Sequence, residues 1–139
     1  MLSRIDKLQG TYLSNFWECP VTYEGLTYRN AESAYQASKC ADKTYREYFT
    51  QAPGYIAKAR GRRVEIRKNW TDVRLTVMWE ILQAKFAQNP DLLAQLIATG
   101  EANIIEGNTW NDKFWGVCNG EGENHLGIML MTIRAMEGE

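Results

Sequence analysis

The stretch Asn30-Ala31-Glu32-Ser33-Ala34-Tyr35-Gln36-Ala37-Ser38-Lys39 sets an acid, a phenol, an amide and an ammonium at i, i+3, i+4 and i+7. On a helix those side chains, Glu32, Tyr35, Gln36 and Lys39, share one face. That spacing ordinarily marks the apolar stripe a helix buries. Here the stripe is polar, and Ala31, Ala34 and Ala37 leave room for other segments to approach. If Asn30 caps the helix, Glu32 lies in its first turn, where the macrodipole favours the carboxylate anion by about 0.3–1 kcal/mol. Such a carboxylate can stabilise a developing cation or activate water. Lys39, two turns on, can hold a phosphate or, with a lowered pKa, attack a sugar aldehyde. The same residues have a plainer reading, since acids are common in first turns and lysines commonly snorkel to solvent.

Two further stretches carry chemistry. Lys58, Arg60, Arg62, Arg63, Arg67 and Lys68 are six cations within eleven residues, interrupted by the single acid Glu65. Arginine forks match phosphate oxygens bidentately, and cations equally suit an exposed helix C-terminus. From Asn111 to Gly127, Asp112 precedes Trp115-Gly116 by three residues, so a carboxylate and a large aromatic sit near a flexible turn. A tryptophan face can stack on a base. Gly120 and Gly122 come just before the last helix, where backbone amides can receive an anion, although two glycines also make an ordinary turn. His125 reads as a polar residue of that turn.

The elements that must position these residues follow from punctuation and period. Gly10–Leu13, Val21–Tyr23 and Leu26–Tyr28 are β-prone, and Glu24-Gly25 suggests a hairpin between the last two. After the helix that begins at Asn30, Pro53 suits the first turn of a helix ending near Gly61. Thr71 or Asp72 can cap a longer helix through about Phe86, with Val77, Met78, Ile81 and Leu82 inward. Asn89-Pro90 starts another helix, closed by Gly100. Asn103 to Glu106 reads as a short strand or turn, and Gly107 to Gly122 as loop. Asn124 can cap a final helix whose Leu126, Ile128, Met129, Leu130, Met131 and Ile133 predict burial. The fold class expected is α+β, mostly helical, with a small N-terminal β element.

With 139 residues, 45% of them apolar, and no repeat or linker, the expectation is one domain spanning 1–139 with its own core. A net charge of -1 gives no global attraction to nucleic acid or to an anionic membrane. Cys19, Cys40 and Cys118 are odd in number and widely spaced, so neither a disulfide framework nor a metal pair is expected. One histidine argues against a zinc site or a histidine-dependent triad. No leader-like or long apolar run is visible, and the expected location is cytoplasmic.

Taken together, these stretches resemble the NADAR superfamily, the group that includes the YbiA-like N-glycosidases. The matching pieces, in order, are L-S-N-F (Leu13 to Phe16), G-L-T-Y-R-N-A-E-S-A-Y-Q-A-S-K, A-K-A-R-G-R (Ala57 to Arg62) and V-M-W-E-I-L-Q-A-K-F (Val77 to Phe86). L-I-A-T-G, I-I-E-G-N (Ile104 to Asn108), D-K-F-W-G (Asp112 to Gly116) and E-N-H-L-G-I-M-L-M complete the set, which covers roughly Leu8 to Met136. The resemblance implies cleavage of an N-glycosidic bond at a ribose bearing phosphate, by catalytic residues Glu32, Lys39 and Asp112. It implies substrate contacts from Asn15, Phe16, Tyr35, Gln36, Lys58, Arg62, Trp115 and Gly116, with neither cofactor nor metal. Many members carry histidine after the motif glutamate, where this chain has Ser33.

The substrate expected is a phosphoribosylamino-pyrimidine intermediate of riboflavin biosynthesis, cleaved to release ribose 5-phosphate. The alternatives are an ADP-ribosyl hydrolase acting on ADP-ribosylated guanine in DNA, or a non-catalytic nucleotide- or ADP-ribose-binding module. Partners are then a small phosphoribosyl or ADP-ribosyl substrate, nucleic acid only as a modified substrate, and no membrane. Oligomeric state is left open.

Overall fold

The structure, a computed structural model, describes residues 4–138. In chain order these form β1 (Arg4–Ile5), β2 (Val21–Tyr23), β3 (Leu26–Tyr28), α1 (Ala31–Ser38), a 3-10 helix (Lys43–Phe49), α2 (Gly54–Gly61), α3 (Trp70–Gln88) and α4 (Pro90–Ala98). They continue with β4 (Asn103–Ile104), β5 (Gly107–Asn108), β6 (Val117–Cys118) and α5 (His125–Glu137). The class is α+β and mostly helical, but short strands occur in both halves of the sequence. The chain divides into two compact units, Asn15–Asn89 and the remainder. No helix among the described residues is long and apolar enough to cross a membrane.

In the Asn15–Asn89 unit, Glu24 and Gly25 take positive φ (48° and 86°), the geometry a two-residue hairpin turn needs. They close β2 onto β3 with Val21 opposite Tyr28 and Tyr23 opposite Leu26. Gln88 of α3 clasps β2 at both its N–H and its carbonyl, accepting from Thr22 N at 2.7 Å and donating to Thr22 O at 2.9 Å. α1 is buried along its whole length and packs against α2, α3 and the 3-10 helix. Asn30 caps it as expected, accepting from Ser33 N–H at 2.8 Å. α3 starts earlier than expected. Asn69, not Thr71 or Asp72, stands at its cap, and Asp72 falls in the first turn. The reason is Trp70, which is buried and packs on Tyr35 with ring centroids 5.1 Å apart. Val77, Met78, Ile81 and Leu82 face inward as the period required.

In the other unit β1 pairs in parallel with β4, and β5 with β6. Parallel pairs cannot be closed by a hairpin turn, so no turn motif announces them. α5 packs on β4 and on α4, and Gly100 (φ 66°) follows α4. Gly10–Leu13 is not a strand. Thr11 Oγ1 donates to Leu8 O and accepts from Leu13 N–H, so a hydroxyl turn wins over β propensity. Asn124 does not cap α5 through its side chain. It takes a left-handed conformation and its amide bridges Ile104 O and Glu106 N–H instead. Nor is α5 buried all round. Leu126, Leu130 and Ile133 are buried, whereas Ile128 is exposed.

Candidate active site

α1 places the polar stripe inside the protein. Glu32 and Gln36 are 8% and 5% exposed, and Lys39, the residue that ends the helix, is half-buried. Gln36 Nε2 donates to Glu32 Oε2 at 2.6 Å, which is the i, i+4 contact of a helix face. Glu32 N–H donates to Asn15 O at 2.9 Å, fixing Asn15 against the start of α1. Ser33 is fully buried. Its Oγ donates to Ala52 O at 2.7 Å, so here the position anchors the helix rather than facing a ligand.

Burial holds the Lys39 ammonium below its ordinary pKa; the Glu32 carboxylate opposes this, and Arg62 and Lys58 reinforce it. The four groups therefore share one electrostatic neighbourhood. The basic run is divided by its surroundings. Lys58 is half-buried on α2, and Arg62 is exposed at the end of that helix. Arg60 turns away to donate to Tyr48 O and lies 5.7 Å from the Phe49 ring. Arg67 donates to Ser38 O at 3.4 Å and to Asn69 Oδ1 at 2.8 Å. Arg63 lines a separate cavity of about 220 Å³ with Cys40, Asp42, Tyr45, Val64 and Glu65. Of the run, Lys58 and Arg62 thus bear on the Lys39 ammonium, while the Arg67 N–H donates to Lys39 O at 2.9 Å.

Among the described residues, Asn15 Oδ1 and Gln36 Oε1 are buried acceptors with no hydrogen-bond partner. Such groups are uncommon in native proteins, and in a polar site they await a donor or mark a tight contact. Phe16 is 40% exposed and its ring lies over Gly54, where an added Cβ would come within 2.7 Å of it. Tyr35 is buried, with Trp70 against it.

Asp112, Trp115 and Gly116 belong to the other unit. Asp112 Oδ1 accepts from the N–H groups of Phe114 (3.1 Å) and Trp115 (2.9 Å), which folds the turn that presents the tryptophan. Asn108 Oδ1 accepts from Asp112 N–H, and its Nδ2 donates to Asp112 O at 2.8 Å. Trp115 is half-buried, edge-on to Phe114 at 4.8 Å. Gly116 is buried beneath Glu106 O and Asn108, with no room for a Cβ. His125 begins α5 rather than lying in the turn, 4.6 Å from the Phe114 ring and 3.2 Å from Glu123 Oε1.

Reading residues alone missed Gly54, Gly61 and the Ser33–Ala52 bond. The glycines could have been suspected only because alanine is the better helix former and neither glycine is needed for helix propensity.

A buried acid, a lysine with a lowered pKa and two cations of the neighbouring helix α2 gather in one polar neighbourhood. The chain belongs to the NADAR family, whose domain matches residues 4–136. It is 40% identical over 125 residues to the N-glycosidase YbiA of Shigella boydii, covering 87% of this chain and 78% of that one. A riboflavin biosynthesis protein of Vibrio vulnificus is 36% identical over 88% of this chain, which corresponds to 34% of that relative. The solution NMR structure of YbiA from Escherichia coli superimposes with a TM-score of 0.83 at 34% identity, covering 98% of this chain and 86% of that one.

Proposed function

We propose that this NADAR protein is an N-glycosyl hydrolase that cleaves the C1′–N bond of a phosphoribosylamino-pyrimidine and releases ribose 5-phosphate. The observation that carries this is the Glu32–Gln36–Lys39 face of α1, buried yet polar, with Lys58 and Arg62 in the same electrostatic neighbourhood. The names of the N-glycosidase and riboflavin biosynthesis relatives support the reaction and the substrate class.

Cleaving a ribosyl C–N bond builds positive charge at C1′ and sends an electron pair to the departing nitrogen. Glu32 stabilises that charge and takes or returns a proton. Arg62 and Lys58 hold the 5′-phosphate, and the buried Asn15 Oδ1 accepts from a sugar hydroxyl. Lys39 supports a covalent route. As a neutral amine it adds to C1 of the opened sugar, the pyrimidine amine leaves with a proton, and water hydrolyses the resulting imine to restore Lys39. Burial favours the neutral amine this step requires. Asp112 shapes the turn that carries Trp115.

The test is a substrate panel of the ribosylamino-pyrimidine phosphates, NAD, ADP-ribose and ADP-ribosylated guanine DNA, with wild type and Glu32→Gln. Ribose 5-phosphate from the pyrimidines, lost in the variant, supports the proposal. Release from the modified DNA alone would replace it with an ADP-ribosyl hydrolase. Binding without turnover across the panel would leave a binding module.

A further inference from the structure

Gln36 has a second contact besides Glu32. Its Oε1 faces the bare Cα of Gly61, the last residue of α2. A Cβ added there would fall inside the van der Waals radius of Oε1, 2.8 Å from Cδ and 3.3 Å from Cβ of Gln36. Gly61 does not take a left-handed conformation, so no backbone demand explains a glycine at this position. Alanine would serve the helix better. What glycine supplies is space for the amide. The amide is thus clamped, with its oxygen against α2 and its NH2 on the Glu32 carboxylate at 2.6 Å.

We propose that Gly61 and Gln36 form a positioning pair that aims Glu32 at the substrate, Gly61 acting through Gln36 and neither contacting the reacting atoms. This rests on Glu32 being the catalytic carboxylate. It accounts for the partnerless buried oxygen of Gln36, which is pressed against a glycine Cα instead of meeting a donor. Because the group in the way is a side-chain amide, an added methyl displaces Gln36 rather than the backbone. The fold then survives and the carboxylate loses its holder.

The test measures kcat, KM and ribose 5-phosphate binding by calorimetry for Gly61→Ala, Gln36→Ala, the double variant and Glu32→Gln. Gly61→Ala is expected to lower kcat by about tenfold or more while KM and ribose 5-phosphate affinity stay within about twofold, the signature of misplacement. Gln36→Ala should lower kcat similarly, and the double variant should be no worse than the poorer single, because both act through one contact. Full kcat in Gly61→Ala, or losses that multiply in the double variant, would overturn the pairing. So would a lower melting temperature with kcat unchanged. Should Gly61→Ala fail to fold, the double variant is decisive, since shortening Gln36 removes the clash. A kcat equal to that of Gln36→Ala supports the pairing, and a lower one overturns it. If Glu32→Gln keeps full activity, the catalytic assignment itself fails, whatever Gly61 does.

Discussion

From Glu106 to Asn124, the side chains of Asn108, Asp112 and Asn124 are turned on the backbone. Asn108 meets both the N–H and the carbonyl of Asp112, Asp112 caps Phe114 and Trp115, and Asn124 bridges Ile104 and Glu106. Around α1, Asn30, Ser33 and Ser38 likewise serve the backbone, but the Glu32–Gln36 pair does not. Gln36 holds Glu32 and presses its own Oε1 on Gly61, while Asn15 Oδ1 lacks a partner. A side chain that satisfies the backbone stabilises a shape. A buried one left short of partners stays available to a ligand, at a cost in stability that the fold must offset. Both regions are rich in polar residues, and the partners those residues take distinguish the two.

The largest effect that would test the contrast is on turnover. Glu32→Gln keeps size and most hydrogen bonding, so the melting temperature should hold while kcat falls about 100- to 10,000-fold. Lys39→Arg should also abolish turnover, together with any borohydride-trapped adduct, because arginine stays protonated. For wild type, turnover should rise with pH as the Lys39 ammonium loses its proton, at a pH below the ordinary lysine value of 10.5.

The same unit holds a second lysine with a lowered pKa. Lys85 is fully buried on α3, and burial pushes its pKa down to about 8, with Cys19 opposing the shift. The unfolded chain keeps this proton up to about 10.5, so between those values the unfolded state binds more protons and stability rises with pH. Urea melts from pH 7 to 10.5 should show a gain of about 3 kcal/mol in wild type that Lys85→Met lacks. Equal slopes would place the neutral-amine preference elsewhere.

Effects in the loop should fall on stability. Asn108→Ala leaves the Asp112 and Glu106 backbone groups it serves without that partner and should cost about 1–3 kcal/mol. Asp112→Asn keeps the Oδ1 acceptor, so stability should change by less than about 1 kcal/mol. Activity should stay within about tenfold of wild type if Asp112 only shapes the turn. A larger loss would make this loop chemical as well as structural and would erase the contrast.

Much of the α1 site was legible because its cues are local. The i, i+4 spacing alone sets Gln36 on Glu32, Asn30 stands one residue ahead of its helix, and Glu24-Gly25 carries its own turn. Where a local cue met a tertiary demand, the reading slipped. Trp70 buried against Tyr35 drew the start of α3 past Thr71, and β4 claimed the Asn124 side chain from α5. The parallel pairs β1–β4 and β5–β6 were unreadable, since their partners lie far apart in the chain or are joined by no hairpin.

The sequence by itself determined the helices, the hairpin and the polar face of α1, because capping, turn chemistry and helical period act over a few residues. Only the tertiary structure decided that this face would be buried, and that Lys58 and Arg62 would bear on the Lys39 ammonium while Arg60 and Arg63 went elsewhere. It also decided that Gly61 would seat the Gln36 amide. Burial, charge proximity and close approach depend on which segments meet, and no spacing along one segment contains that information.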